Sequence, residues 1–155
     1  MRYIVIVNKE KFMKQYKWLC LIICCTGILF LFFQYEINTS SFVKKNYKEL
    51  NEFVNKIKLD NSTKDQQKSF YKGWNVTYWK ENGMVEFKKG VFGIGSSTTY
   101  KGFYYSPTDE PLGFQGTNIK FEKKGKGWKW KEKKGDNWEY TERIMSNWFK
   151  FEIHF

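Results

Sequence analysis

Alanine is absent from this chain of 155 residues, and after Cys25 so is cysteine. The three cysteines, Cys20, Cys24 and Cys25, all fall inside one apolar run. Everything beyond that run lacks the thiols for a disulfide framework or a thiolate metal site, so it must hold together by core packing. A lipoprotein anchor needs a small residue before the modified cysteine. Ile23 and Cys24 stand in those places, which removes that reading.

Histidine is nearly absent as well. His154 is the only one, and strand alternation sets it on the face opposite Phe149, Phe151, Ile153 and Phe155. It reads as a surface or edge residue, since a Ser/His/Asp arrangement would have to be gathered from scattered positions. The carboxylate pairs Asp109/Glu110 and Glu139/Glu142 read as turn or solvent-facing residues, not as a general acid with its base. Residues 90–97, GVFGIGSS, lack the Gly-Lys-Ser/Thr ending of a phosphate loop and read as a bend in a sheet. No catalytic residue, metal or cofactor is expected.

What the chain does have is Trp18 to Phe33, WLCLIICCTGILFLFF, 16 residues without a charge. At about 1.5 Å per residue the run covers about 24 Å, a little short of the roughly 30 Å hydrocarbon core. Snorkelling Lys17 and the interfacial pair Trp18 and Tyr35 extend it. Residues 18–36 therefore read as a single transmembrane anchor. A signal peptide cleaved near Asn38-Thr39-Ser40-Ser41 and a buried core helix are the rivals. Arg2, Lys9, Lys11, Lys14 and Lys17 precede the run, against Lys44, Lys45 and Lys48 in a similar length after it. That bias predicts an N-terminus in the cytoplasm and a C-terminal domain outside. Residues 1–17 form the leader, with Met13 as an alternative start. Heavy use of Lys, Asn, Ile, Tyr and Phe without alanine is the composition of an AT-rich bacterial genome.

Beyond the anchor, residues 37–69 read as an amphipathic helix followed by a polar linker. Val43, Tyr47, Leu50, Val54 and Ile57 recur at spacings of four and three, capped by Thr39, Ser40 or Ser41, and residues 60–69 are unpatterned. The helix is expected to pack on the following sheet. Residues 42–57 could instead pair with a second copy to make a homodimer.

From residue 70 to 155 the period becomes two. Segments starting at Trp74, Val85, Thr98, Leu112, Ile119, Trp128, Asn137 and Trp148 read as strands, with Asn82-Gly83 as a type I′ hairpin turn. The expected class is α+β: a transmembrane helix, an amphipathic helix, and an antiparallel meander of seven or eight strands, as a small sheet or barrel. This order of parts is similar to type IV pilins and pseudopilins. Their processing motif sets glycine before a mature Phe or Met, with glutamate fifth; here Ile28 follows Gly27 and Phe32 is fifth. No family is assigned.

Residues 37–155 hold 22 Lys+Arg and 14 Asp+Glu, a net +8. The charge is densest in Lys120 to Lys134, KFEKKGKGWKWKEKK, with eight lysines against Glu122 and Glu132. Lys123, Lys124, Lys126, Trp128, Lys129, Trp130 and Lys131 form the candidate polyanion site, with ammonium groups for charge and flat rings for stacking. The competing reading buries Trp128 and Trp130 and leaves the lysines to solvent and edge protection. The expected role is contact with a protein partner or an anionic wall polymer from the membrane, without nucleic acid. An envelope enzyme and an immunity or exclusion protein of a mobile element are the alternatives.

Overall fold

The computed structural model describes residues 16–20, 22–23, 25–26, 39–59, 66–89, 92–94 and 97–155. The chain divides into two compact units, Met1–Asn38 and Thr39–Phe155. In the first, every described residue is helical, and Trp18, Leu19, Ile22 and Ile23 are exposed. Among the described residues no helix is long and apolar enough to cross a membrane. Residues 21, 24 and 27–36 of the expected anchor lie outside the described set, as do residues 1–15 of the leader.

The second unit is α+β. Residues 39–45 are helical, Asn46 interrupts, and helix α1 (Tyr47–Leu59) follows. The strands are β1 (Gln66–Tyr71), β2 (Trp74–Trp79), β3 (Met84–Lys88), β4 (Phe92–Ile94), β5 (Ser97–Tyr105), β6 (Glu122–Lys124), β7 (Gly127–Lys131), β8 (Trp138–Met145) and β9 (Trp148–His154). They pair antiparallel in the order β1-β2-β3-β5-β9-β8-β7-β6, with β4 alongside β5. The sheet is thus two meanders joined where β5 meets β9, with edges at β1 and β6. Residues 106–121 carry the chain from the centre of the sheet to its far edge.

The amphipathic pattern lands as expected. Val43, Leu50, Val54 and Ile57 are buried against Trp74, Val76, Val85, Phe87, Phe103 and Trp148. The helix thus packs on the sheet. Tyr47, counted in that stripe, is exposed.

Several local expectations are corrected. The type I′ turn sits at Lys72-Gly73, where both residues have positive φ (43° and 84°) between the paired Tyr71 and Trp74. At Asn82-Gly83 only Gly83 is left-handed, and a four-residue loop closes through Gly83 N–H donating to the Trp79 carbonyl at 2.9 Å. The Lys72-Gly73 turn supports a strand in residues read as linker: β1 has no alternation of its own and forms by edge pairing with β2. Leu112–Gln115 is not a strand, because Gln115 (φ 56°) and Gly116 (φ 75°) are left-handed and make a 3-10 turn. The strand read as Ile119–Glu122 forms later, at Glu122–Lys124. Residues 92–94 are a short strand rather than a bend.

On the sheet face away from α1, a second core gathers Met84, Tyr104, Phe114, Phe149, Phe151 and Ile153 beneath the 106–121 connection. Large rings fill both layers: Phe87 stacks on Phe103 at 4.6 Å and Tyr104 on Phe149 at 5.3 Å. They leave no room at Gly102, where a Cβ would meet the Phe87 carbonyl oxygen at 2.1 Å and the Phe151 ring at 2.9 Å. Gly102→Ala is expected to cost about 2–3 kcal/mol in urea unfolding. An unchanged midpoint would show that the strands can part there at no cost.

Candidate functional site

The basic segment forms the β6–β7 hairpin at one edge of the sheet. Gly125, with φ 58°, and Lys126 make its two-residue turn between the paired Lys124 and Gly127. Alternation then divides the candidate residues. Lys123 and Trp128 face each other across the strands on the side of the second core. There the Lys123 ammonium lies 3.7 Å from the Trp128 ring, which packs on Phe149 at 6.1 Å. Trp130 shares that side. Lys124, Lys129 and Lys131 take the other side, where the Lys129 ammonium lies 5.0 Å from the Trp138 ring. Lys123, Lys124, Lys126 and Lys131 are exposed, while Trp128, Lys129 and Trp130 are half-buried. The structure therefore brings the seven residues to one hairpin but onto two surfaces that meet at its tip.

The side of the sheet bearing Lys129 continues as a cross-strand row. Lys101 pairs with Glu152, Glu152 with Tyr140, Tyr140 with Lys129 and Lys129 with Glu122. Lys101 and Glu152 approach to 3.0 Å. His154 lies in the next row, its ring stacked on Trp138 at 5.9 Å and its Nδ1 3.1 Å from the Thr99 hydroxyl. This is a half-exposed structural position, as the alternation implied.

The acidic residues are where sequence reasoning fell short. Glu139, expected to face solvent, is 1% exposed, and Glu86, not among the candidates, is fully buried. Glu139 Oε2 accepts the Phe114 N–H at 2.9 Å, while Oε1 has no hydrogen-bond partner. Burial pushes the Glu139 carboxyl up to about 8, the Phe114 N–H opposes this, and the Glu86 carboxylate adds to it. Glu86 Oε2 accepts the Trp79 indole N–H at 3.0 Å. Its Oε1 lies 3.1 Å from the Lys88 ammonium, as an ion pair without hydrogen-bond geometry. Burial raises its pKa, with Lys88 and then Trp79 pulling the other way. A usable signal for Glu86 existed: it sits between Met84 and Lys88 on one face of a strand whose other face is Val85 and Phe87.

Tyr104 completes this interior. The Thr141 hydroxyl donates its one proton to the Lys150 carbonyl, so the Tyr104 hydroxyl donates to Thr141 at 2.9 Å. The Tyr104 oxygen in turn accepts the Leu112 N–H at 3.1 Å. Glu139 and Tyr104 thereby fasten the 106–121 connection to the sheet at two points. The connection is also tied at its start, where Arg143 binds the Asp109 carboxylate and Asp109 Oδ1 accepts the Asn147 N–H at 2.6 Å. Among the described residues no cluster of His, Cys, Asp and Glu is arranged to hold a metal.

Comparison of the chain with protein-family models, with curated proteins and with solved structures gives no match.

Proposed function

We propose that this chain is a membrane-tethered binding module. In this reading Trp18–Phe33 anchors it in a single pass with the N-terminus inside, and the basic hairpin meets an anionic envelope surface outside. The observation that carries it is the hairpin itself: five lysines ring two tryptophans at a sheet edge, on both sides and at the tip. Ammonium groups and half-buried indoles at a sheet edge suit a polyanionic polymer or acidic headgroups. The alternative of an envelope hydrolase draws no support from Glu86 and Glu139, whose carboxyls are sealed in the core and used to hold structure.

Each lysine near an anionic surface is worth about 1 kcal/mol. Replacing Lys123, Lys124, Lys129 and Lys131 with glutamine should then weaken binding of the full chain to poly(glycerol phosphate) beads at least about tenfold. The thermal midpoint should fall only slightly, since exposed cation–π contacts such as Lys123 on Trp128 contribute about 0.5–1 kcal/mol. Undiminished binding would overturn the site. The tether is tested by fractionating cells that carry a C-terminal tag and treating spheroplasts with protease. A membrane-bound tag digested from outside supports it, whereas a tag in the medium or one protected inside would overturn it.

A further inference from the structure

A concavity among the described residues lies at the β1 end of the sheet order, whereas the hairpin lies at the β6 end. It is a cleft of about 470 Å³ lined by Gln66, Trp79, Lys80, Glu81, Asn82, Gln115 and Gly116. That volume falls within the usual range for small-ligand sites, about 300–1,000 Å³. Gln66 and Trp79 are cross-strand neighbours and form one wall, and the 3-10 turn forms the opposite one.

We infer that this cleft is a binding site for a neutral oligosaccharide. Three features point to that chemistry. The two glutamines each offer a donor and an acceptor, as sugar hydroxyls require, and the indole offers a flat apolar surface. Lys80 and Glu81 cancel in charge, so the cleft has no bias towards an anion, unlike the hairpin. The walls are also held in place before any ligand arrives. The Trp79 indole N–H is tied to the fully buried Glu86 at 3.0 Å. Asn82 clamps the far wall: its Nδ2 donates to the Gly116 carbonyl at 2.6 Å, and its Oδ1 accepts the Met84 N–H at 3.0 Å.

Gln115 adds a detail of the lining. It is an exposed residue in the left-handed region, at φ 56° and ψ 27°, where an unbranched side chain gains nothing locally and glycine would fit without strain. Lys72, Asp109 and Asn147 take left-handed conformations too, in turns that shape the fold. At Gln115 this conformation turns the amide-bearing residue into the lining of the cleft.

The test uses the full chain in a sugar-free detergent, titrated with tetrasaccharides of N-acetylglucosamine, glucose in α- and β-1,4 linkage, and mannose. One of them should bind with a Kd on the order of 1 mM or tighter. The Trp79 indole N–H resonance, identified by its loss in Trp79→Phe, should move on binding. Gln115→Gly should weaken binding about tenfold or more while holding or raising the thermal midpoint, which separates a ligand-binding role from a structural one. Several results would overturn the inference: no binding by any of the four, binding that Gln115→Gly leaves unchanged, or shifts confined to Trp128 and Trp130. Preference for an acidic saccharide over all four would overturn it too. Because the hairpin lysines are untouched, these outcomes leave the polyanion reading to its own test.

Discussion

Raising the pH from 5 to 9 should destabilise the wild-type chain by several kcal/mol, and Glu139→Gln should remove the share of that loss that this carboxyl carries. The sign follows from linkage. The Glu139 carboxyl has an ordinary value near 4.5 in the unfolded chain and about 8 in the fold. Below pH 4.5 both states hold the proton and nothing is lost. Between those two values the unfolded chain releases the proton and the folded one keeps it, so stability falls by about 1.4 kcal/mol per pH unit. Across about three and a half units the ceiling is roughly 5 kcal/mol. Above about 8 the folded group ionises and the loss levels off. Glu86, also raised by burial, acts with the same sign. The half-exposed Asp109, held low by Arg143, acts oppositely and only in acid. Glutamine keeps an oxygen to accept the Phe114 N–H and carries no charge, so it copies the protonated group. At pH 5 the variant should unfold in urea close to wild type, and at pH 9 it should be markedly more stable. A variant whose stability follows the wild-type pH curve in parallel would show that Glu139 is not the group responsible.

This group also marks the limit of what could be read from residues alone. Periodicity located α1 and the long central strands because each buries one face, and the buried set Val43, Leu50, Val54 and Ile57 was legible from spacing. It failed for β1, whose residues 66–71 have no buried face of their own and are strand only because β2 offers an open edge. It failed again for Leu112–Gln115, where apolar residues serve a covering turn instead of a ladder. Glu139 was misread because strand alternation fixes which side a residue faces but not whether that side is covered. The cover, residues 106–121, has no period to read. The hairpin lysines were legible as a cluster, and only the register showed that Lys123 and Lys129 lie on different sides. The cleft could not be read at all, since Gln66, Trp79 and Gln115 meet only through β1–β2 pairing and the 3-10 turn.

Trp148→Ala should cost about 4 kcal/mol, the upper part of what a buried large-to-small change removes, and lower the thermal midpoint by roughly 15 °C. Trp148 is fully buried where α1 meets the sheet, and its ring lies 5.8 Å from Phe87, 5.9 Å from Phe103 and 5.4 Å from Tyr105. Its indole N–H also donates to the Asn51 side chain on α1 at 3.2 Å. Truncation leaves a cavity between layers built of rigid rings, and in a chain without alanine few neighbours are small enough to shift into it. It also strips Asn51 of its donor. Trp148→Phe separates these effects: it keeps most of the packing, loses the hydrogen bond, and should cost about 1–2 kcal/mol. Because α1 is too short to persist alone, losing this seam should release it first. Amide exchange in Tyr47–Leu59 should therefore accelerate more than exchange in β5 and β9. Equal acceleration everywhere would mean that helix and sheet open as one unit, and a cost below about 1 kcal/mol would mean that Leu50 and Val54 hold the helix without the indole.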